Sequence, residues 1–177
     1  MSNTISIIIP VYNEKESLEE LYGEIRAATG SFSKREVLFI DDGSTDGTTE
    51  LLQTMAEEYP DVTLIQFYRN YGKAAALAEG FNHATGDYIV TMDADLQDDP
   101  SEIKNLVEKL DEGYDLISGW KRVRLDPWTK RWPSKFFNLV TRLMTGVKIH
   151  DFNCGLKIYR RAVVKAVEIY GGRHRYI

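Results

Sequence analysis

Short apolar runs alternate with helix-period segments through the first 120 residues of this 177-residue chain, and that alternation restricts its fold more than any other feature. "TISIIIP" (4–10) reads as a buried strand. Asn13 and Glu16 then form a capping pair for a helix that carries Leu18, Leu21, Tyr22 and Ile25 on one face. "EVLFID" (36–41) is a second strand, followed by the turn "DGSTDG" and a helix bearing Leu51, Leu52, Met55 and Tyr59. "TLIQFY" (63–68) is a third, with Leu77, Phe81 and Ala84 marking the helix after it. "DYIVTMD" (87–93) is a fourth; Asp99 caps the next helix, with Pro100 at its first position and Glu102 closing a capping box. "DLISGW" (115–120) is a fifth. A βαβαβαβαβ order implies an α/β fold, a mostly parallel sheet with helices on both faces.

Ligands of such sheets bind beyond the carboxyl ends of the strands. Polar clusters fall at those ends: "VYNE" after the first strand, "DDGS" after the second, "RNYGK" after the third and "DADLQ" after the fourth. The last belongs to "TMDADLQDDP" (91–100), which crowds four aspartates into ten residues. Asp98 and Asp99 are explained by helix capping; Asp93 and Asp95 are not. In extended chain Asp93, Asp95 and Gln97 project to one side, and their oxygen atoms suit Mg²⁺ or Mn²⁺, with water and phosphate completing the shell.

A net charge of −5 does not favour nucleic acid as a partner. From Lys121 to Lys148, however, eight Lys or Arg face one acid, a local net of +7 that leaves −12 elsewhere. That asymmetry calls for an anionic partner. Within it, residues 128–146 place Trp132, Phe136, Leu139, Val140 and Leu143 near helical spacing among basic residues. Such a helix either lies in a membrane interface or packs on a core with a solvated charged side. No run is long enough to span a bilayer. The lone Cys154 excludes an internal disulfide and suits a reducing compartment; it reads as buried and inert, and His150 as structural. The ending "GGRHRYI", without a polar tail, suggests a piece of a longer protein.

Taken in order, "SIIIPVYNE", "IDDGSTDGT", "RNYGKAAALAEGF" and "GDYIVTMDADLQDDP" resemble the successive motifs of family 2 glycosyltransferases with the GT-A fold, a Rossmann-like nucleotide-diphospho-sugar transferase sheet. The likeness extends through "SGWK" and "DFNCGLKIYRR" and is strongest to polyprenyl-phosphate mannosyl- and glucosyltransferases. It implies one catalytic domain over 1–177, truncated at its C-terminus, with membrane segments absent from this sequence. It implies that Pro10, Tyr12 and Glu14 line a base and ribose pocket and that Asp42 accepts a hydrogen bond from the nucleobase. For Asp41 and Asp42, turn chemistry is the competing account; for Tyr12 it is packing. The resemblance further implies that Asp93, Ala94 and Asp95 bridge a metal ion to the donor diphosphate, with Lys73 adding charge there. Lys73 as a solvated lysine at a helix start stands beside that reading. A P-loop is excluded, because "YGKAA" lacks the earlier glycine and the following Ser or Thr.

The implied acceptor is polyprenyl phosphate at the cytoplasmic side of a membrane, which favours the interfacial reading of 128–146. Lys121, Arg122, Lys130 and Arg131 are the candidates to hold its phosphate. Asp151 stands where inverting enzymes place a catalytic carboxylate, and Asp95 is the other catalytic candidate. The implied reaction is an inverting transfer of glucose or mannose from a UDP- or GDP-hexose. Two alternatives differ in kind: a family 2 transferase acting on a saccharide acceptor, and a nucleotide-sugar-binding fragment without turnover. A receiver domain leaves "DAD" and the basic block without a role.

Overall fold

The strand β1 (Thr4–Val11) runs through the middle of the sheet, and its side chains dictate the layers. A computed structural model describes residues 3–119 and 154–166. Ile5, Ile7 and Ile9 face one helical layer, packing in a cluster with Leu18, Leu21 and Ile25 of α1 (Leu18–Ala28), Leu52 and Met55 of α2 (Thr48–Glu58), and Ile103 and Leu110 of α4 (Ile103–Asp111). Ile8 faces the other way, toward Ala76, Leu77 and Phe81 of α3 (Lys73–His83) and Val164 of α5 (Arg161–Ala166). A strand covered on both faces has no solvent side to mark with polar residues, hence the unbroken "SIIIP". Each fully buried isoleucine contributes roughly 1.5–3 kcal/mol.

The other strands are β2 (Lys34–Asp41), β3 (Val62–Gln66), β4 (Tyr88–Thr91), β5 (Leu116–Ser118) and β6 (Lys157–Arg160), in the spatial order β3-β2-β1-β4-β6-β5. The first four are mutually parallel. β6 enters between β4 and β5 and is antiparallel to both. The chain winds outward from β1 to β3 and then returns to place β4 on the opposite side of β1. The strand order therefore reverses between β1 and β4, the kind of crevice where open α/β sheets bind ligands.

Two local expectations are corrected. Asn13 does not cap α1: the helix starts at Leu18, and Asn13 lies in the left-handed region (φ 57). Its side chain accepts from the Thr45 amide at 2.8 Å, and its own amide donates to Ser44 Oγ at 3.0 Å, so it ties two loops together. Asp99 does accept from the Ser101 amide, at 2.9 Å, but Pro100–Glu102 form a 3-10 turn before α4, and Glu102 accepts from Asn105 ahead of it at 3.1 Å. β6, which the sequence pattern did not mark as a strand, stands between β4 and β5.

Candidate functional site

At the carboxyl edge of the sheet, beside that crevice, lies a cleft of about 310 Å³. The end of β1 and the loop after it contribute Pro10, Val11, Tyr12 and Glu14, and Asp42 directly follows β2. Asn70 and Gly72 come from the loop between β3 and α3, Lys73 opens α3, and Asp93, Ala94 and Asp95 follow β4. The donor-site residues expected from the sequence are thus brought to one place. Gln97 is not among them. Leu96 adopts a left-handed conformation (φ 59), so the chain turns where the sequence reading assumed it extended, and Gln97 is exposed outside the cleft.

The paired acids "DD" divide their tasks. Asp41 is fully buried and serves the turn, accepting from the Ser44 amide at 2.9 Å and from the Thr49 hydroxyl. Asp42 accepts from the amides of Tyr71 (2.6 Å) and Gly72 (2.8 Å), clamping the loop that leads into α3. Gly43 makes that loop's approach possible: its φ is +76°, and a Cβ there would lie 2.6 Å from the carbonyl carbon of Arg69. Tyr12 is half exposed where it lines the cleft.

Asp93 and Asp95 are held differently. The Asp93 amide donates to the buried Asp98 carboxylate at 3.2 Å, and its own carboxylate pairs with the Lys73 ammonium. Asp95 accepts from the Gln97 amide at 3.1 Å, an Asx turn that keeps its carboxylate at the cleft. Glu14 reports the local field. Burial raises its pKa above the ordinary value, and the carboxylates of Asp95, Asp46 and Asp93 raise it further. A site with this excess of negative charge suits a cation. Among the described residues no three metal-ligating side chains converge on one point. The protein would then offer the carboxylates of Asp93 and Asp95, and water and phosphate oxygens the remaining positions, as is usual for Mg²⁺ or Mn²⁺.

The sequence reading missed Val11, Asn70, Gly72 and Gly155. Asn70 stands within "RNYGK", separated from the Gly-Lys pair by Tyr71 alone, and that place is the available signal. Gly155 precedes β6, and a Cβ there would lie 2.5 Å from the Asp93 carboxylate. Its carbonyl accepts from Thr91 Oγ1 at 2.9 Å. Cys154 is buried, as expected. Lys121, Arg122, Lys130, Arg131, Asp151 and the segment 128–146 lie outside the described residues. No helix among the described residues is long and apolar enough to cross a membrane.

Solved structures share this architecture. The mannosyltransferase PcManGT of Pyrobaculum calidifontis, in complex with GDP-Man and Mn²⁺, superposes with a TM-score of 0.69 at 26% identity, over 97% of this chain and 48% of its own. Glucosyl-3-phosphoglycerate synthase of Mycobacterium tuberculosis, with Mn²⁺ and UDP-glucose, gives 0.71 at 21% identity, over 96% and 60%. The fold is therefore GT-A, the class expected from the motif order. Within that class, the model of glycosyl transferase family 2 matches residues 6–168, and the chain belongs to that family. The undecaprenyl-phosphate 4-deoxy-4-formamido-L-arabinose transferase of Shewanella sediminis is 47% identical over 166 residues, 92% of this chain and 50% of its own length. The protein of the same name from Pseudomonas paraeruginosa is 44% identical over 92% of this chain and 49% of its own length. The chain spans about half the length of these curated relatives.

Proposed function

We propose that this chain binds a nucleotide-diphosphate sugar through a divalent cation and transfers the sugar, with inversion, to polyprenyl phosphate at the cytoplasmic face of a membrane. The observation that carries the reading is the convergence of Asp93, Asp95, Glu14, Asp42 and Lys73 on one cleft at the point where the strand order reverses. The acceptor comes from the names of the two relatives, and the surplus of positive charge over Lys121–Lys148 supports it.

Asp42 fixes the loop that leads into Lys73; Pro10, Tyr12 and Glu14 line the same cleft, where base and ribose would lie. Asp93 and Asp95 would hold Mg²⁺ or Mn²⁺, which offsets the charge that develops on the departing nucleoside diphosphate. An acceptor phosphate oxygen forms the new bond to the anomeric carbon while the bond to the donor diphosphate breaks, and a single displacement inverts that carbon. A phosphate monoester has a second pKa of about 6, so this nucleophile is already ionised near neutrality. Asp151 is accordingly assigned to orienting the acceptor rather than to removing a proton. Lys121, Arg122, Lys130 and Arg131 are assigned to the acceptor phosphate, and 128–146 to the membrane surface. Glucose or mannose is the sugar implied by the motif resemblance; the relatives' names carry an arabinose, a five-carbon sugar.

Calorimetric titration with UDP and with GDP, each with Mn²⁺ or with EDTA, tests the donor half. Binding of one nucleotide that requires both Mn²⁺ and Asp95, lost in Asp95→Ala, is expected. Binding indifferent to metal and mutation would refute it. Incubation with UDP- and GDP-linked hexoses and vesicles containing undecaprenyl phosphate, read as organic-extractable sugar, tests the acceptor half.

A further inference from the structure

Lys73 is the first residue of α3, where the helix dipole disfavours a cation. Its backbone is nevertheless fixed there, because Asp42 accepts from the amides of the two residues before it. Its ammonium is paired with Asp93. Among the described residues it is the one basic side chain lining a cleft that also holds the carboxylates of Glu14, Asp42, Asp93 and Asp95. The acid that would ligate a metal ion therefore already has a cationic partner supplied by the chain.

We propose that Lys73 is a resident counter-ion of Asp93, displaced when a divalent cation and a nucleoside diphosphate arrive together, after which its ammonium pairs with the diphosphate. This rests on the metal-bridged donor site proposed above. An ammonium and a divalent ion repel at contact distance, so both cannot share one carboxylate oxygen. The displaced ammonium is tethered at the cleft, where the incoming diphosphate brings more negative charge than any one of the cleft's carboxylates. Lys73 thus opposes the metal alone and favours the metal with nucleotide. By linkage, each ligand then strengthens the other's binding through this side chain.

The test is Mn²⁺ binding to the 177-residue chain, read from the electron paramagnetic resonance of free Mn²⁺, without nucleotide and with UDP or GDP. The lysine side chain is 41% exposed, so Lys73→Met leaves the core intact; Lys73→Gln serves if the methionine variant fails to fold. Loss of a partly exposed ion pair should tighten binding of Mn²⁺ alone by roughly fivefold, and the tightening produced by nucleotide should shrink by a similar factor. Lys73→Arg should keep the wild-type coupling. If Lys73→Met binds Mn²⁺ alone no more tightly than wild type, or keeps the full nucleotide effect, the displacement is refuted while the donor site stands. If the wild type binds no Mn²⁺ with either nucleotide, the donor-site reading falls and the displacement with it.

Discussion

Asp93 is positioned from three directions: Lys73 pairs with its carboxylate, Asp98 accepts from its amide, and the Gly155 backbone closes the space beside it. The third constraint is steric and can be broken by one methyl group. In Gly155→Ala the new Cβ would lie 2.5 Å from the Asp93 carboxylate, so the acid or the lead-in to β6 must move. A cost of roughly 1–3 kcal/mol is expected from overpacking, together with loss of most Mn²⁺-dependent nucleotide binding. Thermal melts and titrations with Mn²⁺ or EDTA would separate the two effects; unchanged metal-dependent binding would show that Asp93 does not need this wall. Asp42→Asn probes the clamp. Asn has one acceptor oxygen where two amides now donate, so one partly buried N–H loses its partner, at about 1 kcal/mol. Nucleotide affinity should fall as the loop bearing Asn70 loosens, measured by the same titrations.

At the scale of elements, the cleft depends on how closely α3 lies on the sheet. Gly80 faces β1 and β2, and a Cβ there would lie 2.3 Å from Ile8 Cγ2 and 3.1 Å from Ile40 Cδ1. Two effects oppose each other in Gly80→Ala. Helix propensity favours alanine by about 1 kcal/mol, whereas forcing a methyl into a filled core costs roughly 1–3 kcal/mol. The severity of the contact decides for overpacking: net destabilisation in urea unfolding is expected, and a stabilised variant would mean that α3 can slide. Such packing was legible in the sequence only as periodicity. The order of strands and helices could be read because each element carries its own apolar pattern, and the cleft because polar loops follow strands. β6 could not be read: "KIYR" is four residues long and half basic, and only its pairing with β4 and β5 gives Ile158 and Tyr159 a buried setting. Asn13 misled for a related reason. Asn serves helix caps and left-handed turns equally well, and the contact with Thr45 that decides between them is made across 32 residues of chain.

For the whole molecule, the two edges of the sheet are built on opposite terms. The carboxyl edge raises the pKa of Glu14, first by burial and then by the like charges gathered there. The amino edge pairs its charges: Ser6 Oγ donates to Glu36 at 2.6 Å while accepting from the Gly86 amide at 2.8 Å, and Asp87 accepts from Thr4. At the same edge Asp61 accepts from Tyr22 Oη at 2.7 Å and from Arg35 Nε at 2.5 Å. Burial pushes the Asp61 pKa up, but the bonds from Tyr22 and Arg35 outweigh it and leave the carboxyl below its ordinary value. Tyr22 is pushed up to about 12, first by burial and then by its bond to Asp61. The signs predict the pH dependence. A lowered carboxyl pKa stabilises the fold above the unfolded value of about 3.9 and loses that contribution as pH falls through the folded value. A raised phenol pKa contributes fully below about pH 10, and its contribution is lost as pH rises toward about 12. Tyr22→Phe removes the hydroxyl and leaves an Asp61 oxygen without its donor, costing about 1–3 kcal/mol near neutrality. The gap between wild type and variant in urea unfolding should narrow as pH climbs above 10, because the unfolded wild-type chain gains an ionised tyrosine that the variant lacks. A gap that stayed constant from pH 8 to the alkaline limit would mean that Tyr22 ionises alike in both states, and that the bond to Asp61 does not hold its proton.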